Sequence, residues 1–111
     1  MQTTKHFSEQ RSGQRGITQE MAELVLRYGK KHQDKFSLNK RQAEKLINEF
    51  KRVVTHGQAV KKHHPEKMND IQYEVLTQMQ KEIKILQNIA SKGGIVIIAV
   101  AGTVITAYRY E

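Results

Sequence analysis

An uncharged segment near the C-terminus, from Gly93 to Tyr108, most restricts what this chain can fold into. A helix needs about 20 apolar residues to span a bilayer, and this segment is shorter. It is rich in β-branched residues and is interrupted by Ala101-Gly102, a pattern typical of two strands joined by a tight turn. We therefore expect a β-hairpin over residues 95–110 and no membrane partner.

Both predicted strands are apolar on both faces, which indicates that at least one of them lies inside a sheet with helices packed against it. We expect an α+β fold in which N-terminal helices and two long helices pack on a small antiparallel sheet. At 111 residues the chain has the length of one domain, so we expect a single domain over residues 1–111.

The first third of the chain predicts short elements. Thr4 can cap a mostly polar helix over residues 5–12. Thr18 is suited to cap a second helix, and Gly29 is the expected end of that helix. Residues 30–37 could form an edge strand or a simple connection, and of the two we expect the strand.

A long helical segment is predicted over residues 39–91. Asn39 with Gln42 has the spacing of a capping box, and the apolar stripe that follows continues to about Thr55. The apolar pattern then stops over residues 57–64, where we expect a break.

Pro65 is suited to the first position of the next helix, because its missing N–H group costs nothing there. The apolar stripe of this helix runs about six turns, through Ala90. An apolar stripe of this length is longer than the sheet of a small domain can cover. We therefore hypothesise that the protein forms a homodimer through the long helices.

The net charge of +8 indicates a polyanionic partner. The basic excess lies before Pro65, since the five basic and five acidic residues after it cancel. The same charge could instead face an acidic protein or aid solubility. The chain has no cysteine and no nucleotide-binding or metal-binding motif, so we expect no cofactor and no metal. Its polar start predicts no signal peptide and a cytoplasmic location.

Two groups of residues could form a catalytic site on RNA. Arg11 and Arg15 are four apart and could hold a phosphate from one helix face, while His6 could move a proton. In the last strand, Thr106 and Tyr108 share one face, where the tyrosine could stack on a base or donate a proton. Solvated arginines and an ordinary edge tyrosine are the simpler interpretations.

Further basic residues could contact a nucleic-acid backbone, although solubility is the default interpretation for each. One candidate, Arg109, lies on the other face of the last strand. The other candidates lie on the long helix that begins after Asn39 and are Lys40, Arg41, Lys45 and Arg52. The histidines of the run 61–64 have no third metal ligand at a suitable spacing, so we expect a solvated loop there.

Short motifs in the chain resemble a known family. Residues 6–17 contain His6, Arg11 and an Arg15-Gly-Ile motif, and residues 102–106 read Gly-Thr-Val-Ile-Thr. This pattern is similar to a family of small bacterial proteins of mostly unknown function that is related to the RelE-like ribonuclease toxins. The resemblance implies helices before a small antiparallel sheet, RNA cleavage without metal, and a catalytic role for His6, Arg11, Arg15 and Thr106.

The leading hypothesis is therefore a RelE-like toxin-type domain, either a metal-independent endoribonuclease or an RNA-binding protein. Its partners would be RNA, such as ribosome-associated mRNA, and an antitoxin protein. The alternative is a non-enzymatic interaction protein whose long helices dimerise and whose basic face docks nucleic acid or an acidic partner. A third interpretation is a structural protein whose charge has no partner.

Overall fold

The computed structural model describes residues 2–3 and 16–110, and over these residues it is an α+β fold with helices packed on a mainly antiparallel sheet. In chain order the elements are β1 (Gln2–Thr3), α1 (Gln19–Tyr28), β2 (Lys30–His32), β3 (Lys35–Asn39), α2 (Lys40–His63), a 3-10 turn (Pro65–Lys67), α3 (Asp70–Ser91), β4 (Gly94–Val100) and β5 (Thr103–Arg109). The predicted fold class is confirmed, and the helix predicted over residues 5–12 lies outside the described residues.

The strands are ordered β1-β5-β4-β3-β2, and β2 to β5 are antiparallel neighbours. The two residues of β1 run parallel to β5, where Thr3 pairs with Val104. β4 lies in the middle of the sheet, and Ile95 and Ile97 on its helix-covered face are fully buried. The prediction that one apolar strand would be interior is therefore confirmed.

The C-terminal hairpin turns at Ala101 and Gly102, as predicted. Both residues have positive φ angles, 51° and 80°, as the favoured two-residue hairpin turn requires. A register irregularity between Ile98 and Ala99 adds one residue to β5. Because of that irregularity, Val104 and Ala107 both reach the core although they are an odd number of residues apart.

Helix α1 begins and ends where the sequence predicts. The Thr18 hydroxyl accepts a hydrogen bond from the Met21 N–H, and the Gly29 N–H donates to the Val25 carbonyl. The segment over residues 30–37 is a strand pair, since β2 and β3 form a hairpin around a two-residue turn. Of the two interpretations left open, the strand is correct.

The expected break over residues 57–64 is wrong, because α2 continues unbroken to His63. A Cβ atom at Gly57 would lie 2.6 Å from both methyl groups of Leu76, so the glycine permits close packing of α2 on α3. That packing offsets the cost of about 1 kcal/mol for glycine within a helix. The basic residues at 61–63 consequently form the last helical turn, not a loop, where positive charge favours the helix dipole.

The start of α3 also differs from the prediction. Pro65 begins a 3-10 turn, and the α-helix starts at Asp70 behind a capping box formed by Asn69 and Gln72. None of residues 55–81 is buried, so this half of the α2–α3 pair projects from the rest of the molecule. The molecule is accordingly elongated, with extents of 49 × 27 × 25 Å. None of the helices described is long and apolar enough to cross a membrane.

Candidate nucleic-acid interface

The sheet has two different faces. Leu38, Ile97 and Val104 point toward the helices and are at most 1% exposed, and they belong to one core cluster with α1, α2 and α3. Strand alternation places the residues between them on the opposite face. Val96 is on that opposite face and is not part of the core cluster, although it is only 2% exposed.

Strand pairing sets the residues of the opposite face in rows across the sheet. One row contains Lys30, Ser37, Val96 and Tyr108, which are register partners from β2 to β5. Neighbouring members of such a row are about 5 Å apart, so Ser37 and Tyr108 are about 10 Å apart across Val96.

The adjacent row contains His32, Lys35, Ile98 and Thr106. Its two basic members are exposed on the neighbouring strands β2 and β3, and Thr106 is half-buried on β5. The two rows together place lysine and histidine on β2 and β3, with Ser37 among them, and the hydroxyl groups of Thr106 and Tyr108 on β5.

A shallow concavity of about 380 Å³ lies on this face, and its lining residues are Lys35, Ser37, Val96, Tyr108 and Tyr110. Tyr110 follows the end of β5 but stays in register, since its N–H donates to the Gly94 carbonyl. The two tyrosines are 40% and 37% exposed and are two residues apart on one strand, so their rings are on the same side of the sheet.

The electrostatics of the sheet favour an anion. Strands β2 to β5 contain no Asp or Glu, and two of their basic residues, Lys30 and Lys35, lie on this face, whereas Lys31 and Arg109 alternate onto the helix side. A phosphate group on this face would therefore contact basic side chains of β2 and β3, and no carboxylate on the strands would repel it. The sheet face opposite the helices is formed by Lys30, His32, Lys35, Ser37, Val96, Ile98, Thr106, Tyr108 and Tyr110, and we call it the basic–tyrosine face.

A second polar cluster lies in the helical layer. Glu82 of α3 is only 3% exposed, and its carboxylate accepts hydrogen bonds from Arg27 at 3.1 Å, Tyr28 at 2.9 Å and Gln78 at 3.0 Å. Burial raises the pKa of Tyr28 above its ordinary value of 10.0, against the opposing effect of Arg27. A hydrogen bond with Tyr28, followed by the charge of Glu82, raises the pKa of Arg27. This cluster fastens α1 to α3, because the buried carboxylate has a donor on each of its oxygens.

The predicted catalytic residues are placed only in part. Thr106 and Tyr108 share the basic–tyrosine face, as alternation indicated. His6, Arg11 and Arg15 lie outside the described residues.

The other predicted basic residues lie elsewhere. Arg109 alternates onto the helix side of the sheet, opposite Ile95. The remaining candidates are exposed on α2, in the helical layer, and are Lys40, Arg41, Lys45 and Arg52. The last three share one stripe of α2 that points away from its buried residues, so they form a surface separate from Tyr108.

Sequence reasoning missed the contribution of β2 and β3 to the basic–tyrosine face. Lys30, His32, Lys35 and Ser37 come from a segment treated as a strand or a connection. The signal was present in β3, where Phe36 and Leu38 alternate with Lys35 and Ser37. The pairing of that strand with β4 could not be inferred from local pattern.

Within residues 2–3 and 16–110, no group of three or more histidine, cysteine, aspartate or glutamate side chains could hold a metal ion. Comparison with protein-family models, with curated proteins and with solved structures gives no match to this chain. The relation to the RelE-like toxins therefore stays a hypothesis that depends on the short motifs alone.

Proposed function

We propose that this protein binds single-stranded RNA on the basic–tyrosine face. The observation that supports the proposal most strongly is that Lys35 and Tyr108 line one concavity on a sheet face where the strands have no acidic residue. A lysine can neutralise a phosphate while an exposed tyrosine ring stacks on a base, which is how many proteins hold unpaired RNA.

The tyrosines favour a single strand over a duplex. Bases in a duplex are already stacked on each other, so their faces are closed to Tyr108 and Tyr110. Each ring could take one base of an unpaired strand. The concavity between the rings and Lys35 would then face the connecting phosphate, and Ser37 and Thr106 offer hydroxyl groups for the ribose 2′-OH.

Binding of labelled RNA oligonucleotides at several salt concentrations tests this proposal. We expect affinity for a single strand to exceed that for a duplex of the same sequence, and to fall as salt rises. Lys35→Glu should weaken binding at least tenfold, while Lys81→Glu, the same change on the exposed face of α3, should have a much smaller effect. Equal losses of RNA affinity in the two variants would mean that binding depends only on the net charge of the protein.

Cleavage of the bound RNA is a second candidate function, favoured by the presence of Thr106 and Tyr108 on the same face as Lys35. Without a metal, the 2′-OH of the substrate attacks the adjacent phosphate, the 5′-oxygen leaves, and the products are a cyclic phosphate and a free hydroxyl. Lys35 would stabilise the charge on the phosphorane, and Thr106 would orient the ribose. Tyr108 would donate a proton to the leaving 5′-oxygen and regain one from the water that accepts the 2′-OH proton.

Incubation with RNA in EDTA tests cleavage separately from binding. Cleavage should persist in EDTA, vanish on an oligonucleotide with 2′-deoxy residues, and drop strongly in Tyr108→Phe while binding is kept. An Arg15→Ala variant tests the motif that lies outside the described residues. Intact RNA after incubation with and without ribosomes would leave the protein as a binder.

The proposal places the protein in the cytoplasm, where mRNA is accessible. Induced expression in bacteria tests a toxin role: growth should stop with the wild-type chain and continue with Lys35→Glu. Growth arrest would support a neutralising antitoxin as a partner, and normal growth at high expression would argue against the toxin role.

A further inference from the structure

The projecting half of the α2–α3 pair has an apolar groove. It has a volume of about 300 Å³, and the residues that line it are Val53, His56, Gly57, Val60, Lys67, Met68, Gln72, Val75 and Leu76. Three large apolar side chains in this region are unusually exposed: Val53 at 49%, Val75 at 50% and Ile71 at 70%. Val53 and Val75 also line the groove, and exposed apolar side chains grouped around a groove are typical of an interaction surface.

The groove continues a face of α3 that is covered farther along the helix. Ile71, Val75, Glu82 and Leu86 follow one another at helical spacings on that face. Glu82 and Leu86 are buried, and Glu82 is bonded to Arg27 and Tyr28 of α1. Because α1 ends at Tyr28, no element of the described chain covers Ile71 and Val75.

The charges beside the groove differ in sign between the two helices. Residues 51–62 of α2 contain four basic residues and no acidic one. Residues 66–78, which include the start of α3, contain three acidic residues and one basic one. A second copy of the chain can place its basic α2 half against the acidic α3 half of the first, and two-fold symmetry repeats that contact.

From this complementarity we infer that the groove is the contact surface of a homodimer, in which each copy covers the exposed Ile71 and Val75 of the other. A uniformly acidic partner helix fits less well, because it would meet Asp70 and Glu74 on α3. This inference does not depend on RNA binding, since the groove and the basic–tyrosine face belong to different elements.

Sedimentation of the full chain over a wide concentration range tests the inference. The wild-type protein should reach twice the monomer mass at high concentration. Ile71→Asp combined with Val75→Asp should raise the dimer dissociation constant more than tenfold, and both sites are exposed enough for the monomer to fold. Asn48→Asp, on an exposed position of α2 outside both the groove and the basic residues 51–62, should leave the mass unchanged.

Charge reversal gives a second test that a folding defect cannot imitate. Arg52→Glu with Lys61→Glu and Lys62→Glu changes the net charge of residues 51–62 from +4 to −2, so both helix halves are acidic. Asp70→Lys with Glu74→Lys changes that of residues 66–78 from −2 to +2, so both are basic. Each multiple variant should be mainly monomeric alone, and an equimolar mixture should form a heterodimer. A strictly monomeric wild type, or a mixture that stays monomeric while each variant is folded, would overturn the inference.

Discussion

The Tyr28 hydroxyl donates a 2.9 Å hydrogen bond to the buried carboxylate of Glu82, a residue 54 positions farther along the chain. The contact joins the end of α1 to the middle of α3, and the rings of Tyr28 and Phe50 of α2 form a T-shaped pair at a centroid distance of 5.6 Å. Three helices therefore converge at one tyrosine. These contacts hold the end of α1 against the other two helices.

Removing the Glu82 carboxylate should destabilise the fold. Glu82→Ala leaves the Tyr28 hydroxyl and the Arg27 guanidinium without their acceptor and opens a cavity, so the free energy of unfolding should fall by about 2–4 kcal/mol in urea. Glu44→Ala is the matched control on an exposed position of α2, and its effect should stay within about 0.5 kcal/mol. Equal effects would show that Glu82 has no structural role.

Stability should decline at alkaline pH partly because of Tyr28. Burial raises the pKa of this phenol in the folded state, so the folded chain keeps the proton to a higher pH than the unfolded chain does. The associated stability is present below about pH 10 and is lost as pH rises through the folded pKa. Urea unfolding at increasing pH should show a steeper decline for wild type than for Tyr28→Phe. Parallel curves would exclude this contribution.

The hairpin turn can be improved by one substitution. Ala101 has a φ of 51°, a conformation that costs an alanine about 1 kcal/mol or more, whereas asparagine tolerates it and forms the preferred Asn-Gly turn. Ala101→Asn should therefore raise the free energy of unfolding by about 1 kcal/mol in a thermal or urea melt. Ala59→Asn, within helix α2, should instead lower it by about 0.5 kcal/mol.

The capping box at the start of α3 should contribute measurably to the free energy of unfolding. The Asn69 side chain accepts a 2.8 Å hydrogen bond from the Gln72 N–H, and Asn69→Ala should cost about 1 kcal/mol. Asn88→Ala, an exposed position inside the same helix, should be neutral or slightly stabilising. A loss at Asn88 as large as that at Asn69 would contradict the capping role.

Features set by neighbouring residues could be predicted from the sequence. Thr18 and Asn39 cap helices as expected, because the side chain that caps and the N–H that it binds are three residues apart. The Ala101-Gly102 turn was evident for the same reason. Strand alternation likewise placed Thr106 and Tyr108 on one face.

Features set by distant residues could not be predicted. Gly57 does not end α2, because Leu76 packs against it from α3. Lys35 reaches the concavity beside Tyr108 only through the pairing of β3 with β4 and of β4 with β5. Glu82 did leave a local signal, since it interrupts the apolar stripe of α3, but its partners on α1 depend on the folded arrangement.

The position of bound RNA tests the central claim most directly. We would titrate the isotope-labelled protein with a short single-stranded RNA and follow the backbone amide signals by NMR. The account predicts that the largest shifts fall on β3 and β5, around Lys35, Ser37 and Tyr108. Shifts confined to the α2 stripe that contains Arg41 and Lys45, or no shifts at all, would contradict it.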